Sequence, residues 1–133
     1  MPTDNQTPIN GTNVRESVSQ YYGQVLASSE DLQTNACCAS GAPPQHLLPL
    51  LDNVHEEVSA RFYGCGFPIP DALSGATVVD LGCGTGRDVY VIAQLVGETG
   101  HVHGIDMTPE QLQVGERTLA WHTERFGFAR PNV

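Results

Sequence analysis

The stretch of sequence that determines the fold is residues 77–86, which read Thr77-Val78-Val79-Asp80-Leu81-Gly82-Cys83-Gly84-Thr85-Gly86. Residues 77–81 form a short, mostly apolar run that predicts a buried strand, and residues 88–96 show the helical spacing of apolar side chains. A glycine-rich turn between a strand and a helix allows a ligand to approach bare backbone at the positive end of the helix. The stretch therefore predicts an α/β sheet with a ligand site at this turn.

A second strand follows the first helix and extends the same pattern. Residues 101–105 alternate in polarity and predict a strand that ends at Asp106. The helix between the two strands is expected to turn Val89, Ile92, Ala93 and Val96 inward. Strands that alternate with helices predict parallel β-α-β units with right-handed crossovers.

The start of the last helix carries a second candidate binding element. This helix is predicted from Pro109 to about residue 126, with Thr108 as N-cap and Gln111 completing a capping box. Asp106 follows the second strand, where an acidic residue can accept both hydroxyls of a ribose. Capping of the helix is the other interpretation of Asp106, but Thr108 is the better cap. Met107 offers a soft surface to an adenine ring.

The spacing of the glycines distinguishes two classes of nucleotide ligand. The dinucleotide pattern G-x-G-x-x-G requires a glycine where this chain has Arg87. The observed D-x-G-x-G-x-G resembles the loops of S-adenosylmethionine enzymes, whose cofactor has no pyrophosphate. Asp80 can orient the ammonium of the methionine part, directly or through water. The other candidate cofactor-binding residues of the turn are Gly82, Cys83, Gly84, Thr85 and Gly86.

The chain divides into three predicted parts: a disordered tail at 1–12, a helical, cysteine-bearing cap at 13–75 and the first half of the cofactor-binding domain at 76–133. In the cap, Asn13 and Glu16 have capping-box spacing at the start of a helix. The apolar face of this helix is expected to contain Val14, Val18, Tyr21 or Tyr22, and Val25. Residues 45–51 predict a brief helix around Pro49, and residues 53–62 predict another.

Composition excludes several partners. The 133 residues suffice for one domain, and the net charge of −9 with only 6 Lys and Arg argues against nucleic acid. No run reaches the roughly 18 apolar residues of a membrane helix, and the N-terminus lacks the features of a signal peptide. A cytoplasmic protein without a membrane partner is therefore expected.

Four cysteines are present, at positions 37, 38, 65 and 83, and we expect them in a reducing compartment. A disulfide framework is then disfavoured, which leaves reactive, ligand or buried thiols. Cys83 lies inside the glycine turn and is interpreted as structural. A zinc site is disfavoured because the cysteines and the five histidines lack zinc-ligand spacing. The histidines are expected at the surface or in packing.

Cys65 lies between two glycines just before the first strand. Ligands of open α/β sheets bind beyond the C-terminal ends of the strands, and the preceding helices could bring Cys65 there. Thiolates bind soft metals and metalloids well. From spacing alone, a small buried residue is the favoured interpretation of Cys65, and the ligand role is the alternative.

Eight runs of the chain, two of them bearing cysteines, form one set of motifs: Val18-Ser19-Gln20-Tyr21-Tyr22-Gly23, Leu32-Gln33-Thr34-Asn35-Ala36-Cys37, Asn53-Val54-His55-Glu56-Glu57-Val58, Tyr63-Gly64-Cys65-Gly66, Asp80-Leu81-Gly82, Gly86-Arg87-Asp88, Gly104-Ile105-Asp106-Met107-Thr108 and Phe126-Gly127-Phe128. Together they resemble the arsenite methyltransferases, over nearly all of residues 14–133. The resemblance implies the N-terminal portion of a Rossmann-like class I methyltransferase fold, with a helical cap before the first β-α-β-α units.

The resemblance also implies a reaction and its participants. A methyl group would pass from S-adenosylmethionine to trivalent arsenic (arsenite or a thiol-bound form) in a detoxifying reaction, with a thiol reductant of the thioredoxin or glutathione type. Cys65 matches a cysteine that binds arsenic, and Cys37 matches one that can pair with it as a disulfide; Cys38 is a neighbour that could substitute. Tyr63 and Gly64 match positions at the methionine end of the cofactor.

The resemblance also implies a much longer protein, with two further arsenic-binding cysteines in a region after residue 133. A third strand would begin near Asn132. We therefore expect this chain to be a truncated and inactive portion. The alternatives are a methyltransferase of another small molecule and a non-catalytic fragment that binds thiol ligands or the cofactor.

Overall fold

The computed structural model describes residues 11–27, 42–64 and 66–133. The elements in order are α1 (Gly11–Gln20) with a π-helical turn (Tyr21–Val25), a 3-10 turn (Gln45–Leu47), α2 (Leu48–Leu51), α3 (Glu56–Ala60), β1 (Thr77–Leu81), α4 (Arg87–Val96), β2 (His101–Ile105) and α5 (Pro109–Phe126). The two strands are parallel, with Thr77 opposite His101 and Leu81 opposite Ile105. The predicted bounds of both strands and of α5 are confirmed, and α4 begins one residue before its predicted start.

Helix α4 is buried on two sides. Its predicted inward residues Val89, Ile92, Ala93 and Val96 are all buried and pack with Val102 of β2. On the other side, α4 contributes Tyr90 and Val91 to a second cluster with Leu47, Val54, Val58 and Val114. The helix therefore separates the sheet from the N-terminal helices, and both clusters depend on it.

Among the residues that the structure describes, the sheet is covered on one face only. Val78 packs against the α4 cluster, whereas Val79, Leu81 and Ile105 are 54%, 77% and 52% exposed. The prediction of a fully buried first strand is thus wrong, because its alternate side chains point away from α4. On the edge of β2 away from β1, the Val102 N–H donates to the carbonyl of Asn132 at 2.8 Å. This contact lies where a third strand was expected to begin.

The N-terminal helix departs from its predicted start and face. It begins at Gly11, so Asn13 lies inside the helix and cannot form the predicted capping box with Glu16. Val14 and Val25 are 45% and 57% exposed, and the predicted apolar face is wrong at both ends. The turn Tyr21–Val25 is the part of this segment that packs against α5. Residues 1–10 of the predicted tail lie outside the described residues.

The helix predicted at 53–62 is shorter in the structure. His55 has an extended conformation, and its Nδ1 accepts a hydrogen bond from the Glu57 N–H, so the helix begins only at Glu56. Val54 and Val58 are nevertheless buried as their spacing implies. The brief helix around Pro49 is confirmed as a 3-10 turn followed by α2. Across the described ranges, no helix has the length and apolar character needed to span a membrane.

Behind the glycine turn, α5 approaches the backbone closely. A Cβ atom at Gly115 would lie 2.7 Å from the carbonyl oxygen of Thr85. The carbonyl of Gly115 also accepts hydrogen bonds from the Tyr90 hydroxyl at 2.7 Å and the Thr118 hydroxyl at 2.9 Å. A glycine at this position therefore lets α5 support the turn from behind.

His122 joins α5 to the N-terminal helices. Its ring is 1% exposed and stacks on Tyr90 with the centroids 3.5 Å apart. Nδ1 lies 2.8 Å from the carbonyl oxygen of Thr118, and Nε2 accepts the His55 N–H at 3.0 Å, which together require a neutral ring with its proton on Nδ1. Burial lowers the pKa of His122 to about 4, with a smaller contribution from His55.

Replacing Gly115 with Ala should destabilise the protein by about 1–3 kcal/mol, because the new methyl group collides with a backbone oxygen that cannot rotate away. Elsewhere in a helix the same change stabilises by about 1 kcal/mol. Urea unfolding measures the difference. The control is Ala120→Gly at an exposed position of the same helix, which should lower the free energy of unfolding by about 1 kcal/mol because glycine has a lower helix propensity. A Gly115→Ala protein more stable than the wild type would contradict the close approach.

The stability should fall as the pH is lowered from 7 to 5. The folded-state pKa of His122 lies below the unfolded-state value, so the unfolded chain binds more protons between about pH 6.5 and pH 4. Protonation of His122 in the unfolded chain should lower the free energy of unfolding by about 2 kcal/mol at pH 5. Urea midpoints for the wild type and His122→Phe, which keeps an aromatic ring against Tyr90, measure it. Parallel pH profiles for the two proteins would exclude this role.

Candidate functional site

A cleft of about 480 Å³ lies at the C-terminal ends of β1 and β2. The glycine turn forms one side, the residues after β2 form another, and aromatic residues of the N-terminal segment lie across from them. Its lining comprises Val18, Tyr22, Arg61, Phe62, Tyr63, Gly64, Leu81, Gly82, Cys83, Gly84, Thr85, Ile105, Asp106, Met107, Thr108 and Gln111. The volume falls within the range of small-molecule sites, roughly 300–1,000 Å³.

The glycine turn has the backbone conformation that its sequence requires. Gly82, Gly84 and Gly86 have φ angles of +77°, +58° and +96°, in the left-handed region where a side chain would be strained. Nothing lies within 4 Å of a Cβ position at Gly82, so the backbone there is open to a ligand. Gly86 is the N-cap of α4, and the positive end of that helix lies directly behind the turn.

Asp106 connects the glycine turn to the start of α5. One carboxylate oxygen accepts the Gly84 N–H and the other accepts the Thr108 N–H, each at 2.8 Å. Thr108 occupies the predicted N-cap position but makes no side-chain cap bond, and the prediction that it leaves Asp106 free is wrong because Asp106 accepts the Thr108 N–H. The predicted capping box is also wrong for Gln111, whose Nε2 donates to the carbonyl of Tyr22 at 2.7 Å. Each carboxylate oxygen has a second acceptor position, and the pair can still accept two ribose hydroxyls.

The other predicted residues of the turn differ in what they can offer a ligand. Thr85 is 3% exposed and its hydroxyl donates to the Val58 carbonyl at 2.9 Å, so only its backbone is available. Asp80 does not line the cleft, and burial, with help from Asp88 and Asp106, raises its pKa. Gly86 also lies outside the lining.

Cys83 has an unreactive thiol. Burial, followed by the charges of Asp106 and Asp80, raises its pKa to about 12. A thiol with this pKa carries almost no thiolate near neutral pH and is a poor nucleophile or ligand. The geometry agrees with the structural role that its place in the turn indicated.

The predicted residues Tyr63, Gly64 and Met107 all reach the cleft. The ring of Tyr63 lies 5.7 Å from that of Tyr22, and the two form an aromatic wall opposite the turn. Met107 is 51% exposed at the open side. Tyr22 was predicted only as part of an apolar helix face, and its place in the cleft follows from the packing of Tyr21–Val25 on α5.

Cys37, Cys38 and Cys65 lie outside the described residues. The residues on either side of Cys65 are described, and Gly64 lines the cleft. In the described part of the chain, no three His, Cys, Asp or Glu side chains are grouped as a metal site would require.

Arg87 holds the segment on both sides of Cys65. Its guanidinium carbon lies 3.2 Å from the ring centroid of Phe62 and 4.5 Å from that of Phe67. Nη2 also donates to the Gly66 carbonyl at 3.3 Å, and an ion pair with Asp88 at 2.8 Å fixes the side chain. Sequence reasoning missed this role, because the aromatic partners are about twenty residues away and follow no periodic pattern.

The chain is similar to known methyltransferases. A family profile described as "Methyltransferase domain" matches residues 72–133. Arsenite methyltransferase from Aquipseudomonas alcaligenes is 58% identical over 116 residues, which is 87% of this chain and 34% of the relative. The human arsenite methyltransferase is 53% identical over 121 residues, which is 90% of this chain and 32% of that protein. The chain thus spans about a third of the length of these curated relatives.

A solved structure shows the same fold. The arsenic(III) S-adenosylmethionine methyltransferase of Chlamydomonas reinhardtii matches with a TM-score of 0.66 and 47% identity, covering 68% of this chain and 31% of that one. Together with the sequence relatives, this match confirms the predicted resemblance and the Rossmann-like methyltransferase fold.

Proposed function

We propose that this chain, a homologue of the arsenite methyltransferases over about 90% of its length, binds S-adenosylmethionine in the cleft and serves methyl transfer to trivalent arsenic. The observation that carries the proposal is the convergence of an open glycine turn, the Asp106 carboxylate and Met107 on one cleft. An uncovered backbone turn, a diol acceptor and a soft apolar surface are the three features that the parts of this cofactor require.

The roles of the binding residues follow from their positions. Backbone at Gly82, where a positive φ angle keeps side chains away, would hold the amino-acid end through its carbonyl, because the Gly82 N–H already donates to the Ile105 carbonyl at 2.7 Å. Asp106 would accept the ribose hydroxyls through its remaining acceptor positions, and Met107 would contact the adenine face. Tyr63, across from the turn, would contact the methionine end. Asp80, which does not line the cleft, would act on the ammonium through water.

Methyl transfer requires the arsenic atom near the methyl group. Gly64 lines the cleft and a peptide bond joins it to Cys65, which supports Cys65 as an arsenic ligand. Cys37, or Cys38 in its place, would pair with Cys65 as a disulfide in the reaction cycle. Bound S-adenosylmethionine would offer an electrophilic methyl carbon, which the lone pair of arsenic(III) attacks in line with the departing sulfur. The contribution of the chain is proximity and orientation.

The electron balance of this step implies a partner. Arsenic uses its lone pair for the new bond to carbon, and the former carbon–sulfur pair remains on sulfur. Two electrons are then needed to return arsenic to the trivalent state, and a thiol reductant of the thioredoxin or glutathione type would supply them. A cytoplasmic location suits this chemistry because free thiols persist there.

Asp106→Ala should weaken the binding of S-adenosylhomocysteine to this chain by about 1–3 kcal/mol, because hydrogen bonds to a charged acceptor are lost. Isothermal titration calorimetry measures the change, and circular dichroism checks that the variant folds, since Asp106 also holds two backbone amides. The exposed Asp52→Ala variant is the control. An unchanged dissociation constant in a folded Asp106→Ala protein would refute the ribose assignment.

Cys65→Ser should weaken arsenite binding about tenfold or more, because it removes the one thiolate of this chain that is assigned to arsenic. Equilibrium dialysis with arsenite under reducing conditions measures this, and the affinity for S-adenosylhomocysteine should not change. Cys83→Ser is the matched control, since the pKa of that thiol is raised to about 12. Full arsenite affinity in Cys65→Ser would favour a methyltransferase of another small molecule.

A further inference from the structure

Arg87 connects the glycine turn to the segment that carries Cys65. It is the first residue of α4 and follows Gly86 directly, so the turn determines where its backbone lies. Its side chain is only 11% exposed and does not line the cleft. Within the part of the chain that the structure describes, the ring and polar contacts of the guanidinium go to Asp88 and to residues 62–67.

The ring of Phe62 links the guanidinium to the residue that precedes Cys65. The guanidinium carbon of Arg87 lies 3.2 Å from the centroid of this ring. A Cβ atom at Gly64 would lie only 2.7 Å from Cζ of the same ring, so the Gly64 backbone packs directly against it. A shift of the guanidinium therefore displaces a ring on which Gly64 rests.

The same guanidinium holds the residues that follow Cys65. Nη2 of Arg87 donates to the carbonyl of Gly66 at 3.3 Å, and the ring of Phe67 lies 4.5 Å from the guanidinium carbon. One peptide bond joins Cys65 to Gly64 and one joins it to Gly66, which limits each Cα–Cα distance to about 3.8 Å. One planar group thus restrains the chain on both sides of Cys65.

We propose that Arg87 is a positioning residue, which holds the Cys65 segment so that its thiol meets the ligand bound at the glycine turn. The inference rests on the proposed function and adds a residue that the comparisons do not assign. Because Arg87 is joined covalently to the turn, the turn and the segment keep a fixed separation. A reacting group displaced by about 1 Å can lose about a hundredfold in rate, so this separation matters for transfer.

The contacts require an arginine and not merely a positive charge. A guanidinium is planar, so its face can stack on Phe62 while the N–H groups at its edge donate to the Gly66 carbonyl and to Asp88. An ammonium is a compact point charge and cannot make the stacked and the edge contacts together. Arg87→Lys therefore keeps the charge and removes the arrangement that holds the segment.

The test is affinity labelling of the reduced chain with 5′-bromoacetamido-5′-deoxyadenosine, whose bromoacetamide replaces the amino-acid end of the cofactor. The Cys65 thiolate displaces bromide from the bound probe and forms a sulfur–carbon bond. Tandem mass spectrometry distinguishes Cys65 from Cys83 within the tryptic peptide 62–87. Arg87→Lys should lower the maximal labelling rate at Cys65 about ten- to a hundredfold, and the probe concentration that gives half of this rate should not change.

Two controls separate position from other effects. Iodoacetamide carries no nucleoside, so its rate at Cys65 reports the thiol alone and should be equal in the wild type and Arg87→Lys. Arg130→Lys changes an exposed arginine in the same way and should label like the wild type. Both controls use the same peptide and the same mass-spectrometric signal.

A second variant keeps the test open if Arg87→Lys fails to fold. Phe67→Leu removes one ring contact, leaves the Gly66 hydrogen bond and lies outside the cleft lining. It should lower the maximal labelling rate at Cys65 in the same direction but by less, because Phe62 still stacks on the guanidinium. Circular dichroism establishes that each variant is folded.

The contrary results differ in what they exclude. Equal labelling by the nucleoside probe in the wild type and in the folded variants would overturn the role of Arg87 and leave the proposed site intact. An equal fall with iodoacetamide would also overturn it, because Arg87 would then act on the thiol itself. Saturable probe binding without label at Cys65 in the wild type would overturn the arsenic-ligand role of Cys65. A wild-type chain that shows no saturable binding would overturn the proposed cofactor site.

Discussion

The carboxylate of Asp106 is the group on which the geometry of the cleft depends. It accepts the N–H of Gly84, in the turn after β1, and the N–H of Thr108, at the start of α5. Parallel pairing of β1 with β2 aligns the strands, and the Ile105 carbonyl at the end of β2 accepts the N–H groups of Gly82 and Cys83, but neither contact reaches the start of α5. Hydrogen bonds to a charged acceptor are stronger than neutral ones, so one side chain fixes both sides of the cleft.

Side-chain contacts from several elements then hold the N-terminal helical segment against this framework. The Thr85 hydroxyl binds the Val58 carbonyl, the His55 N–H binds the ring of His122, and the Gln111 amide binds the Tyr22 carbonyl. Each contact joins a residue of 11–64 to one after the first strand, and each is at least partly buried. The aromatic wall of Tyr22 and Tyr63 is consequently positioned by side chains that sequence patterns assign to other roles.

The elements that could be predicted from the sequence are those specified locally. The apolar runs of β1 and β2, the Pro109 start of α5 and the glycine turn follow from residues within a few positions of each other. The sequence also predicts that the glycine turn, Asp106 and Met107 line one cleft, because the C-terminal ends of parallel strands lie at the same edge of a sheet.

The contact partners of the side chains could not be predicted in the same way. Gln111 and Thr108 have capping-box spacing, yet a carbonyl ninety positions earlier takes the amide, and Asp106 takes the Thr108 N–H. Arg87 pairs with aromatic rings twenty positions before it. These partners come together only by tertiary packing. Prediction therefore succeeded for the backbone of the site and was incomplete for the side chains that hold it.

The charges around the turn favour a cationic ligand. Burial, together with Asp88 and Asp106, raises the pKa of Asp80, which means that its ionised form is opposed by its surroundings. Arg87 forms an ion pair with Asp88 and offsets the negative charge of that residue, but it forms no ion pair with Asp80 or Asp106. An ammonium or sulfonium ion nearby would stabilise the ionised Asp80, and by linkage the ionised form would bind such a ligand more tightly. A neutral or anionic ligand would gain nothing from this arrangement.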